Sequence, residues 1–232
     1  MNLLLKAINK VLSILNLTLI KRNSFYHDDK YLDKNEFKYV LWIDRVYSKV
    51  QTVPGHVVEL GVANGRNSLI FGNLINMNGD EQVRRYFGFD TFSGYTNEDL
   101  KESAWLNASA WKSTSYNYVK KRIKNAGLEG TCSLVQGDLK KTIPQFLVDG
   151  AHGFTPNNLR IALLYVDCNA FSAALAGMEA LREYMAPGGV ICIDEKQQGG
   201  ETKALIEFCD KYGFEYRKDA SPFSIPAYTV IK

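Results

Sequence analysis

The chain has 232 residues, 46% hydrophobic and 23% charged, the size and make-up of one large α/β domain or two small ones, and it is not a disordered chain. Eighteen glycines, six prolines and four scattered cysteines without a CxxC pair exclude collagen-like and disulfide-scaffold proteins. Residues 1–22 hold Lys6, Lys10, Lys21 and Arg22 and no acid, so of the net charge of +3 the remaining 24 basic and 25 acidic side chains account for −1. The body is therefore not a nucleic-acid-binding surface by charge.

In chain order, the first segment spaces Leu4, Ile8, Val11, Leu12 and Leu15 along one helical face, with Lys6 and Lys10 on another, and predicts an amphipathic helix over 2–16. It is too interrupted for a signal sequence or a membrane span, so the chain is expected in the cytoplasm, its cysteines reduced. Two uses of the helix are open. It docks on its own domain or on a second subunit, or it rests peripherally on an anionic inner membrane surface. A second helix is expected over 33–50, with Phe37, Val40, Leu41 and Val46 at helical spacing, completing an extension of residues 1–50.

From residue 51 the pattern changes to short apolar runs separated by helices. HVVEL (56–60), RRYFGFD ending at Asp90, TCSLVQGD (131–138), LRIALLYVD (159–167) and GGVICIDE (188–195) predict five buried strands. Helices are expected over 115–126, 139–148, 171–185 and 202–212, and two closing strands near 214–217 and 226–232. Strand–helix alternation implies a parallel sheet covered on both faces, which binds ligands at the carboxyl ends of its strands. All five strands end at or beside an acid.

Three groups at those ends suggest chemistry. In VELGVANGRNS, Gly61 and Gly65 allow a tight turn before a helix N-terminus, and Glu59 suits a cationic ligand such as a sulfonium rather than a pyrophosphate. This favours S-adenosylmethionine over a nicotinamide dinucleotide. Asp90 is placed to accept hydrogen bonds from ribose hydroxyls, although an acid in DTFSG also suits a turn, and Asp138 equally suits a helix cap. Asp167, Asp194 and Glu195 end neighbouring strands, where three acids would repel one another unless a divalent cation such as Mg²⁺ neutralised them; helix caps and ion pairs with Lys196 or Lys203 are the alternative.

Several motifs together resemble those of the macrocin O-methyltransferase-like family of S-adenosylmethionine-dependent sugar O-methyltransferases. They are VELGVANG, GFDTFSGYTNED (88–99), LLYVDCNAF, PGGVICIDEKQQGGETKALIEF and the closing SIPAYTVIK, in family order from about residue 54. The resemblance implies a single Rossmann-like class I methyltransferase domain over 51–232, with a mostly parallel seven-stranded sheet and an antiparallel C-terminal strand. It implies that Glu59, Gly61, Gly65 and Asn67 hold the methionine part of the cofactor, Asp90 the ribose, and Gly137 with Asp138 the adenine. Asp167, Asp194 and Glu195 fall at the family's metal ligands. Asn169 and Phe171 stand where the family has a second acid and a tyrosine, and Ala170 stands nearest the lysine base of catechol methyltransferases, so the general base is left to Asp167 or water.

The implied activity is methyl transfer to a sugar hydroxyl of a glycoside, nucleotide sugar or polysaccharide. The long segment 91–116, with Tyr95, Trp105, Trp111 and Tyr116, is expected to form a lid over the acceptor, or to pack into the core or an interface. A nicotinamide-dependent oxidoreductase and a catalytically inactive cofactor-binding scaffold are the competing readings.

Overall fold

The computed structural model describes residue 8 and residues 34–102, 106–150, 158–195, 199–221 and 226–232. The helix expected over 2–16 (Ile8 apart), Trp105 and Lys196 lie outside the described residues. Two compact units are present, residues 1–38 and residues 39–232. Helix α1 (Lys34–Ser48) begins in the first and continues into the second.

The apolar face of α1 differs from the expected one. Trp42, Ile43, Val46 and Tyr47 are buried in the larger unit together with Tyr39, whereas Phe37, Val40 and Leu41 are exposed. Tyrosine and tryptophan carry the core-facing stripe here, because their rings bury while a polar atom seeks a partner. Residues 39–50 thus pack with the body that the sequence placed from residue 51 onward.

Strands β1 (His56–Leu60), β2 (Tyr86–Asp90), β3 (Cys132–Gln136), β4 (Ile161–Val166), β5 (Met185–Ile193), β6 (Arg217–Lys218) and β7 (Ala227–Val230) form one sheet in the order β3-β2-β1-β4-β5-β7-β6. All pairings among β1 to β5 are parallel; β7 runs antiparallel to both β5 and β6. The expected seven-stranded class I methyltransferase sheet is therefore present. The connecting helices are α2 (Arg66–Met77), α3 (Asn97–Glu102), α4 (Tyr116–Asn125), α5 (Leu139–Asp149), α6 (Phe171–Leu181) and α7 (Gly200–Tyr212). The short α3 was not expected from the sequence.

Strand alternation sorts the core into two layers. Val58, Leu60, Phe89, Leu164, Val166, Ile191 and Ile193 face α5, α6 and α7. Val57, Tyr86, Leu163, Tyr165, Val190 and Cys192 face α1, α2 and α4. All four cysteines are free thiols, three of them buried. No helix among the described residues is long and apolar enough to cross a membrane.

Candidate active site

The sheet reverses its direction of growth between β1 and β4, and ligands of such sheets bind outside the carboxyl ends at that point. A cleft of about 650 Å³ opens there. Gly61, Ala63, Asp90, Thr91, Asp138, Asp167 and Asn169 line it from the strand ends, and Tyr95, Thr96, Asp99 and Trp111 from the segment before α4. Backbone strain gathers around it. Among the described residues, the non-glycines with left-handed backbone are Ala63, Phe92, Trp111 and Asn169; three line the cleft and Phe92 follows Thr91.

The turn after β1 closes because Gly61 has no side chain. Its φ is +95°, and a Cβ there would stand 2.0 Å from the Asp167 carbonyl oxygen. Asp90 braces the same turn. Its Oδ2 accepts the amide protons of Val62 and Ala63, both at 2.8 Å, and its Oδ1 accepts that of Phe92 at 2.6 Å. A carboxylate offers about four acceptor positions, so one remains for a ligand. Asp138 caps α5 through the Lys140 amide at 3.1 Å and also reaches the cleft.

Glu59, Gly65, Asn67 and Gly137 do not line the cleft. Glu59 alternates onto the α2 side of β1 and is fully buried there, accepting a hydrogen bond from Asn67 Nδ2 at 2.9 Å and another from the Tyr86 hydroxyl. Burial pushes its carboxyl up to about 8, against the lowering effect of those two bonds. The network continues from Tyr86 to Ser68 at 2.8 Å, and from Asn67 Oδ1 to the Tyr39 hydroxyl at 2.9 Å. Tyr39 also lies 3.1 Å from Asp194 Oδ2; with one proton it donates to one acceptor at a time. Tyr165 donates to the same Asp194 oxygen at 2.9 Å. The Arg66 guanidinium covers the Tyr39 ring at 3.5 Å. Glu59 and Asn67 thus form a polar layer beneath the turn, tied through Tyr39 to α1.

The three acids expected to share a metal are sorted by the pleat. Val166 pairs with Ile193, so Asp167 and Asp194 are adjacent positions on neighbouring strands and share the face of Tyr165. Glu195, one residue on, has the parity of Ile191 and Ile193 and turns to the opposite face. There its Oε2 accepts the amide of Thr202 at 2.7 Å and the Thr202 hydroxyl, in the first turn of α7. Among the described residues no three His, Cys, Asp or Glu side chains gather in a way that could hold a metal. Asp194 Oδ2 is engaged by two tyrosines and Glu195 Oε2 by a helix terminus, with Glu195 Oε1 buried and unpaired among the described residues, so as placed the three acids do not converge on the expected ion.

Glu201, not singled out from the sequence, is fully buried beside Glu195 and accepts the Asn169 amide. Burial first, then Glu195 and Asp194, hold its carboxyl well above the usual range. The signal was present: Glu201 shares the helical stripe of Leu205 and Phe208, an acid at a core position. Tyr39, Tyr165 and Asp99 had no such signal, since only the fold brings them to the strand ends.

The strand order, the tight glycine turn and the acid-lined cleft at the switch point define a class I methyltransferase fold. The chain belongs to the methyltransferase-domain family, which matches residues 58–195. The expectation of an S-adenosylmethionine-dependent methyltransferase is thereby borne out. Among solved structures, CalS11, a calicheamicin methyltransferase, is 23% identical, with a TM-score of 0.74 over 97% of this chain and 91% of that one. The O-methyltransferase NovP is 16% identical, with a TM-score of 0.68 over 99% and 98%. An O-methyltransferase from Bacillus cereus, solved in complex with SAH, is 11% identical, with a TM-score of 0.55 over 97% of each chain. These likenesses show the shared fold. No curated protein matches the chain.

Proposed function

We propose that the protein transfers a methyl group from S-adenosylmethionine to a hydroxyl oxygen of a sugar. The observation that carries this reading is the cleft itself, whose described lining joins four carboxylates, Asp90, Asp99, Asp138 and Asp167, to the aromatic rings of Tyr95 and Trp111. Negative side chains suit a sulfonium donor, and flat apolar faces suit a sugar ring. CalS11, with the same fold, is described as a TDP-rhamnose 3'-O-methyltransferase, which supports a sugar as the acceptor.

S-adenosylmethionine, when bound, supplies a methyl group already activated on a sulfonium sulfur. The chain's task is orientation and proton management. Gly61 lets the turn pass close against the Asp167 carbonyl, Asp90 offers its remaining acceptor position to the ribose, and Asp138 borders the adenine side. Asp167, on the cleft at the end of the central strand β4, takes the acceptor hydroxyl's proton as the oxygen bonds to the methyl carbon. No step is routed through a metal, because Asp194 Oδ2 and Glu195 Oε2 bond to other partners on opposite faces of the sheet. An open cleft disfavours the inactive-scaffold reading.

The test is methyl transfer from labelled S-adenosylmethionine to a panel of glycosides, nucleotide sugars and polysaccharides. Label on a sugar oxygen supports the reading. Cofactor binding without transfer to any carbohydrate refutes the sugar acceptor, and absence of cofactor binding refutes the whole.

A further inference from the structure

We propose that Asp99, with Tyr95 and Trp111, forms a subsite for a sugar ring that carries free hydroxyls and no acid group, a neutral or an amino sugar. This rests on the methyl-transfer reading above and names the acceptor class of that site.

Asp99 lies in α3, the helix the sequence did not disclose, and only 6% of its surface is exposed although it lines the cleft. Half of its carboxylate is explained by local structure. Oδ2 accepts the Thr96 amide at 2.8 Å and the Thr96 hydroxyl at 2.7 Å, while Thr96 Oγ1 accepts the Asp99 amide at 3.2 Å, a reciprocal cap of the helix start. Oδ1 is buried and has no partner among the described residues. A desolvated carboxylate oxygen left unpaired is unfavourable, and a cap needs only one oxygen. A hydroxyl of a ligand seated in the cleft supplies the missing donor.

The neighbouring rings fit the same occupant. Trp111 lines the cleft beside Tyr95, is 47% exposed, and is held at a φ of +62°, a conformation an aromatic residue adopts only when its surroundings impose it. Hydroxyl capture by Asp99 and stacking on these rings together describe a polyol ring. Charge restricts which ring. Every charged side chain among the described cleft residues is an acid, so a carboxylate on the ligand meets Asp99 and Asp167 with repulsion, whereas an amine is attracted.

The full chain, saturated with S-adenosylhomocysteine, is titrated with p-nitrophenyl rhamnoside, glucoside, glucosaminide and glucuronide, with dissociation constants read by ligand-observed NMR. At least one neutral or amino glycoside is expected to bind roughly tenfold or more tighter than the glucuronide. Asp99→Asn keeps an oxygen for the cap and removes the charge; it is expected to weaken the neutral glycoside roughly fivefold and to narrow the gap to the glucuronide. The melting temperature serves as its folding control, and if the variant does not fold, the wild-type ratios decide. Equal or tighter glucuronide binding, unchanged constants in a folded Asp99→Asn, or no glycoside binding at all overturns the proposal. Glycosides that bind with this selectivity but are never methylated overturn the methyl-transfer reading and leave the subsite standing. Methylation that favours the glucuronide does the reverse.

Discussion

Glu59→Gln tests the buried polar layer beneath the active-site turn. The Glu59 carboxyl ordinarily titrates at 4.5 and in the fold is pushed up to about 8, first by burial. Between those values the unfolded chain has released the proton and the folded chain keeps it, so folding takes up a proton. Stability therefore falls as pH rises, by about 1.4 kcal/mol per pH unit, and levels off above the folded value. Relative to acid conditions this amounts to about 3 kcal/mol at pH 7 and roughly 5 kcal/mol by pH 8.5. Glutamine reproduces the protonated acid, with an oxygen for Asn67 Nδ2 and an NH₂ group for the Tyr86 oxygen, whose own proton turns to Ser68. Urea unfolding of both proteins from pH 4.5 to 8.5 gives the difference directly, with other titrations cancelling. The variant is expected near wild type at pH 4.5 and several kcal/mol more stable at pH 8.5. Parallel pH curves would falsify the assignment of a retained proton to Glu59.

Five further expectations come from the same geometry. His56 is held down to about 4 by burial and then by Arg84 and Arg85, so its ring signals in NMR should stay neutral until that pH; the stability this gives is present above 6.5 and is lost as pH falls through 4, and an ordinary titration near 6.5 contradicts it. Gly61→Ala forces a Cβ to 2.0 Å from the Asp167 carbonyl and should cost about 2–4 kcal/mol in chemical denaturation; a loss below 1 kcal/mol, on the order of a surface change, shows the turn to be pliable. Asp167→Asn should lower kcat by roughly 10²–10⁴ with little change in cofactor affinity, while Glu195→Ala should lower stability by about 1–2 kcal/mol, since Glu195 holds the start of α7. EDTA should leave turnover within about twofold; a loss restored by Mg²⁺ would show that Asp194 and Glu195 leave their present partners to gather on an ion.

The fold was legible because each of the five parallel strands was a short apolar run ended at or beside an acid and the longer helices had their own periodicity. Sheet growth in both directions from β1 and β4, and the reversed β7, came with the motifs rather than with periodicity. What escaped the sequence was tied to aromatic residues with polar tips. The stripe of α1 was read from Phe37, Val40, Leu41 and Val46, of which Val46 alone is buried, because Tyr39 and Tyr47 were not counted as core; yet their hydroxyls reach Asn67, Asp194 and Asp80. The helix α3 escaped because six residues hold too few turns to show a period, and its capping pair, Thr96 and Asp99, reads in sequence as ordinary loop chemistry.

The strand-end acids show how far such a pattern can be pushed. Their positions were correct, but proximity along the sheet edge was taken for convergence, and the pleat separates what the edge brings near. Asp167 and Asp194 share a face because each follows a paired position, Val166 and Ile193. Glu195 follows Asp194 by one residue and must leave that face unless the chain twists at the strand end. Glu59 shares the face of Asp167 but lies opposite Tyr165, short of the strand ends, and is buried toward α2, while Gly61, two residues later and freed by its φ of +95°, turns the chain across the strand ends. Acids at strand termini therefore divide into those that line the cleft, Asp90, Asp138 and Asp167, and those that hold the elements framing it, Glu59, Asp194 and Glu195. Face parity, readable from each strand's alternation before any coordinates, makes that division for Glu195, depth along the strand makes it for Glu59, and the two tyrosines that engage Asp194 complete it.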